Sequence, residues 1–271
     1  MKRSLFSLRF YLILTAALSL IGAVLRSLSF LQFDRELGYF DQGAALPMLF
    51  SILTVTTLAL TATLPLLVKD HTLPRERAKP SILLLSANGI AALAFALNLV
   101  RGTLIRGQFK VPVLVWLLGL AAMIGAIAYF VIGLLVDSPK SDTLVICGVC
   151  VILALACLLS FTYFDPYTQM NAPHKTTNHM ALILLMLYTI YELRAVSGRM
   201  MPRALYTASL AAFFLCFTVG LSNLFAFTAG IYTDITYLAQ DLLLLALSAY
   251  IGIRVVGDVK ASSVTESESR V

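Results

Sequence analysis

Residues 111–136 read VPVLVWLLGLAAMIGAIAYFVIGLLV, a run with no charged side chain. A hydrocarbon core about 30 Å thick takes roughly 20 helical residues to cross, and this stretch exceeds that. Runs of comparable character recur at about 9–31, 44–68, 80–100, 142–162, 174–196, 204–229 and 232–254. Where water is absent the backbone must pair with itself, which leaves a helix bundle or a closed barrel. The apolar positions are continuous and do not alternate with period two, so helices are predicted. The expected class is all-α: a polytopic membrane helix bundle of about eight transmembrane helices over residues 1–256. Residues 257–271, polar and rich in Ser and Glu, are expected to form a disordered cytoplasmic tail.

Composition agrees with this reading. Charged residues make up 13% of the chain and apolar residues 59%, with a mean hydropathy of +0.89, whereas a soluble domain carries about 25% charged residues. The formal net charge of +6 does not imply nucleic acid, because the basic residues fall mostly in short connections. With the N-terminus inside, 14 of the 20 Lys and Arg residues lie on the cytoplasmic side and 6 outside. That bias predicts a multi-pass cell-membrane protein with both termini cytoplasmic. The segment 101–110 violates the bias, placing Arg101, Arg106 and Lys110 outside. Trp116, Tyr39, Tyr163 and Tyr232 sit at span ends, as interfacial anchors do. Met1-Lys2-Arg3 ahead of Phe10–Leu25 also resembles a signal peptide, but the apolar character continues past Arg26 to Phe33, which favours a retained span.

One internal similarity stands out. Leu28-Ser29-Phe30-Leu31-Gln32-Phe33-Asp34 closes the first span and Leu159-Ser160-Phe161-Thr162-Tyr163-Phe164-Asp165 closes the fifth. The turns at Arg77–Pro80 and Arg199–Pro202 are likewise four spans apart. A 4+4 parallel internal repeat is the plan these pairs suggest.

Two spans look too short. Only residues 180–191 separate His179 from Glu192, and only 242–253 separate Asp241 from Arg254. Twelve helical residues cover about 18 Å, so each helix must submerge polar residues. Those of the outer turns are His174, Lys175, Asn178 and His179 on the sixth span, and Asp234, Gln240 and Asp241 on the eighth. Arg26, Asn98 and Asn223 lie at similar depth on other spans. A charge facing lipid costs about 2.5–3.5 kcal/mol, so these groups are expected to face the bundle interior. The candidate substrate-binding set is Asp241, His179, Lys175, His174, Asn223 and Asp165, arranged as an outward-opening pocket with Asp241 paired to Lys175 or His179. A structural ion pair locking the two helices is the competing reading. Asn171 as a cap and Pro173 in the first turn would start the sixth span, whose N-terminus, with His174 and Lys175, favours an anion.

Other motifs carry less. His174 and His179 are five apart, so about 140° around a helix, which disfavours a shared metal. No metal or other cofactor is expected. Cys147-Gly148-Val149-Cys150 is a CxxC, but in an apolar helix it fits small-residue packing better than redox chemistry. Glu192 is expected to pair with Arg194 or a neighbouring helix. The basic stretch 194–203, or the tail with its terminal Ser269-Arg270-Val271, offers a docking surface for a cytoplasmic protein. No Walker A loop, HExxH, GxSxG or TVGYG filter is present. The sequence therefore favours a transport component for a small polar or anionic solute. A non-enzymatic partner or signalling subunit comes second, and a membrane enzyme acting on a lipid-linked substrate through His179 and Asp241 third.

Overall fold

The computed structural model describes residues 7–34, 39–41, 43–68, 73–74, 77–107, 110–135, 141–166, 172–231 and 235–268. Its helices are α1 (Leu8–Ser29), α2 (Ala45–Ala62), α3 (Leu64–Leu67), α4 (Ile82–Leu104), α5 (Val113–Leu135), α6 (Ser141–Tyr163), α7 (Pro173–Val196), α8 (Pro202–Thr228) and α9 (Ile235–Glu268). Two-residue strands, Phe33–Asp34 and Tyr39–Phe40, pair antiparallel after α1. With α2 and α3 taken together, eight helices among the described residues are long and apolar enough to cross a membrane. Asn171, Tyr232, Asp234, the Ser269–Val271 end and the basic residues Lys2, Arg3, Arg35, Lys69, Arg75, Lys140 and Arg270 lie outside the described residues.

Local chemistry sets the helix ends. Ser7 and Ser81 cap α1 and α4 by accepting from Phe10 N and Leu84 N, satisfying donors that have no partner within the helix. Proline occupies the first turn of α7 and α8, where its missing N–H is not needed. Gly198, at φ +76°, ends α7 in a left-handed turn that lets Arg199 N donate to Arg194 O at 2.8 Å. The expected span 44–68 is broken at Thr63, because Pro65 cannot continue the α2 hydrogen-bond ladder.

Successive long helices run in opposite directions. The start of α1, the α7–α8 turn and the end of α9 therefore share one end of the bundle, here the near end. The other is the far end. The centre is α8 and α9, which bury 67% and 56% of their most apolar windows against 22–39% for the others. Around them α1 packs on α8, α4 on α9, and α7 on α8, while α5 bridges α4 and α6. α7 packs along α8, whereas their equivalents in the suggested repeat, α2 and α4, share no comparable contact.

Two features depart from the sequence expectation. The stretch expected as a disordered tail from residue 257 is helix as far as Glu268, where α9 ends; the segment has no proline, and Val259 and Asp258 are buried. The first residues of the basic segment 101–110 are not loop but helix. α4 runs one turn further, to Leu104, and buries Arg101, while the Arg106 guanidinium stacks 4.5 Å over Trp116. The CxxC helix packs through small residues. A side chain on Gly125 of α5 would meet Cys150 at 2.5 Å, so α5 and α6 touch there without room for a methyl group.

Candidate functional site

At the far end, polar side chains from α1, α4, α6, α7, α8, α9 and the segment after α6 form one buried layer. Its hub is Asn223 on α8. Its Nδ2 donates to Asp241 Oδ1 at 2.9 Å and to Asn178 Oδ1 at 3.1 Å. Asn178 Nδ2 lies 3.3 Å from His174 Nε2. From α1, Arg26 donates to Thr177 Oγ1 at 2.8 Å and to Asn223 Oδ1 at 3.4 Å. Gly220 makes the hub possible. A Cβ there would stand 2.8 Å from Leu245 Cγ and 3.0 Å from the Asp241 carbonyl oxygen, so α8 and α9 approach closely beside the Asn223–Asp241 pair.

A second branch continues from His174, whose ring meets Tyr237 edge-on at 4.8 Å. The Tyr237 hydroxyl donates to the Asp165 carboxylate. Lys175 Nζ donates to the Asp165 carbonyl at 3.2 Å. Gln240 Oε1 accepts from Arg101 Nη1 and Thr162 Oγ1, both at 3.0 Å, and the Arg101 guanidinium lies 5.7 Å over the Tyr237 ring. Asn98 reaches the Ala239 carbonyl at 2.7 Å. On α9, Tyr237, Gln240 and Asp241 are spaced i, i+3, i+4. On α7, His174 and Asn178 are i, i+4. Helical periodicity thus puts each of these two sets on one face of its helix. Arg26, Arg101, Lys175, Asp165 and Asp241 are each no more than 4% exposed.

Of the predicted residues, the structure brings Asp241, Asn223, His174, Asp165 and Lys175 into this layer. It does not pair Asp241 with Lys175 or His179. Lys175 lies one residue around the helix from the His174–Asn178 face and turns to the end of α6. His179 is half-buried, and its Nε2 finds no hydrogen-bond partner among the described residues. Within the described residues these side chains of the layer are buried. Arg101, Gln240 and Thr162 complete it. Arg101 escapes the sequence reading because it looks like a loop residue.

The near end holds a second cluster. The Arg77 guanidinium bridges the carboxylates of Glu192 on α7 and Asp258 on α9. Glu192 also accepts from Tyr188 at 3.1 Å and Tyr250 at 3.4 Å, and faces Arg254 Nε at 3.5 Å. Asp258 accepts from Ala78 N at 2.8 Å and the Tyr206 hydroxyl at 3.2 Å. Glu192 is therefore joined to other elements and not to Arg194, which is exposed on the turn. A cavity of about 220 Å³ opens beside the cluster, lined by Asn88, Tyr129, Leu144, Tyr250 and Arg254 among others. The sequence signal for this cluster is the set of tyrosines at 129, 188, 206 and 250 inside apolar helices, since a buried phenol seeks an acceptor.

Along α9 the two polar layers stand Asp241 to Arg254 apart, about 20 Å at 1.5 Å per residue. Between them lie fully buried apolar side chains such as Leu243 and Leu244 on α9 and Leu182 on α7. Among the described residues no three His, Cys, Asp or Glu side chains converge as metal ligands would. The chain matches no family model, no curated protein and no solved structure.

Proposed function

We propose that the chain is a membrane-embedded carrier for a small polar or anionic solute. In this reading eight helices cross the bilayer, the near end faces the cytoplasm, and the far-end layer is the solute gate. The observation that carries it is the far-end layer itself: Arg26, Arg101, Lys175, Asp165 and Asp241, all ionisable, buried together among helices apolar enough to span a membrane. Ionisable groups at that depth are costly, and pathways are where membrane proteins keep them. Asn223 and Asn178 hold Asp241 in a polar setting, and Arg26, Arg101 and Lys175 supply positive charge for an anionic group of the solute. In this reading the near-end cavity, reaching Asn88 and Tyr250, is the cytoplasmic vestibule, and with the far layer buried and apolar side chains between the two layers the arrangement corresponds to an occluded state of the carrier. In the two-half plan Asp34 and Asp165, the equivalent ends of the repeated heptapeptide, would both stand at the far end.

Purified protein in liposomes tests this with uptake of labelled phosphate, acetate and glutamate, under an imposed pH gradient and without one. Uptake of at least one anion, lost in Asp241→Asn while the variant still inserts and melts as a folded protein, is the expected result. Full uptake by that variant removes Asp241 from the mechanism. A second reading is favoured by the exposure of Arg194 and Arg199 at the near-end turn, which suits docking of a cytoplasmic protein. A copurifying protein lost on Arg194→Ala/Arg199→Ala, with no anion uptake, would support that alternative.

A further inference from the structure

A groove of about 720 Å³ runs down the outside of the bundle at the near end, between α1, α4, α8 and α9. Its walls are apolar: Leu12 and Ile13 of α1, Leu83 of α4, Phe213 of α8, Ala249 and Ile253 of α9. Its mouth is basic. Among the described residues Lys79, Arg254 and Lys260 line it, with Ser81 at the start of α4, and no acidic side chain does. Lys79 and Lys260 are exposed. Asp258 is fully buried, held by Arg77 and Tyr206. From Lys260 to Ala249 along α9 is about 16 Å at 1.5 Å per residue, close to one leaflet of a hydrocarbon core about 30 Å thick.

We infer that this groove is a binding site for an anionic glycerophospholipid, its phosphate at Lys79 and Lys260 and one acyl chain along α1 and α9. The inference rests on the membrane reading above. An apolar trough the length of one leaflet with a cationic end matches such a lipid in both shape and charge, and juxtamembrane lysines attract anionic headgroups. A zwitterionic lipid would fill the trough but gain less at the mouth. Arg254 lines both the groove and the near-end cavity and also faces Glu192. A phosphate at the mouth therefore competes with Glu192 for this guanidinium, and the bound lipid acts on the near-end cluster.

The test uses full-length protein, delipidated in dodecyl maltoside and titrated with dioleoyl-phosphatidylglycerol or dioleoyl-phosphatidylcholine, with bound lipid counted by native mass spectrometry. One phosphatidylglycerol is expected to bind well ahead of phosphatidylcholine. Lys79→Gln/Lys260→Gln should weaken it by about fivefold per lysine, on the order of 25-fold together, whereas Lys79→Arg/Lys260→Arg should retain it. Ala249→Phe, which fills the trough, should weaken both lipids. Equal binding of the two lipids, or unchanged binding in the glutamine pair, overturns the inference while leaving the membrane reading intact. A chain that stays monodisperse in buffer without detergent overturns both.

Discussion

Replacing Glu192 by glutamine keeps the shape of the near-end cluster and removes one negative charge from it. Glu192 is 2% exposed and takes hydrogen bonds from Tyr188 and Tyr250 while facing Arg77 and Arg254. Removing one member of a buried pair typically costs about 3–5 kcal/mol, because the other charge is left uncompensated. Two features place this case at the lower limit. Arg77 keeps Asp258, and the Arg254 side chain is 16% exposed, so water can reach it. A loss of about 3 kcal/mol follows, and at roughly 2–4 °C per kcal/mol for a chain of this size the melting temperature falls by on the order of 10 °C. A thiol-reactive dye can report the transition, since Cys216 is fully buried and Cys157 nearly so. Arg77→Gln supplies the control. Combined with Glu192→Gln it restores neutrality, so the double variant should be more stable than the sum of the singles by about 1–3 kcal/mol. A melting temperature for Glu192→Gln within about 2 °C of the parent, or strict additivity in the double variant, would refute the assignment of Glu192 as the anchor of the near-end ion cluster.

Asn223→Leu should be more damaging than its small volume change suggests, by about 2–4 kcal/mol, because Asp241 and Asn178 both lose their donor; thermal melting in detergent reads it, and an unchanged melt counts against the hub. Gly220→Ala brings a methyl group to 3.0 Å from the Asp241 carbonyl and should cost about 1–3 kcal/mol, with anion uptake falling alongside the melting temperature; normal stability would show that α8 and α9 are not so close there. Gly125→Ala should destabilise by a similar amount through its 2.5 Å contact with Cys150; Cys150→Gly in the same chain should recover most of the loss, and failure to do so would argue against this α5–α6 packing. A single cysteine at Lys79 or Arg199 should react with an impermeant maleimide only in inside-out vesicles; labelling in right-side-out vesicles would reverse the proposed orientation.

The existence and order of the long helices are legible in the sequence because a charge-free run such as 113–135 admits few alternatives. Their ends are less so. A span of 80–100 already satisfies the thickness argument, so nothing in the hydropathy requires α4 to carry Arg101 another turn into the interior. That Asp241, Asn223 and His174 would meet is legible too, since all are polar at one depth. The partner of Asp241 is not, because each step along a helix turns the side chain by about 100°. Asn178, one turn from His174, faces α8, while Lys175 turns towards α6. Hydropathy fixes depth but not rotation. Asp258 is hidden for a different reason: at the start of the polar end segment 257–271 it reads as solvated until Arg77, 181 positions earlier, is placed beside it.

That separation has a consequence for how the protein is made. During synthesis the segment carrying Arg77 emerges long before α7 and α9, so its guanidinium has neither carboxylate partner while the first helices assemble. Glu192 arrives next and Asp258 later still. Closure of the cluster therefore reports that α9 has docked: a chain stopped short of it keeps the Arg77–Glu192 pair but lacks both Asp258 and Arg254, so the final register of α9 against α7 is the last thing the cluster records.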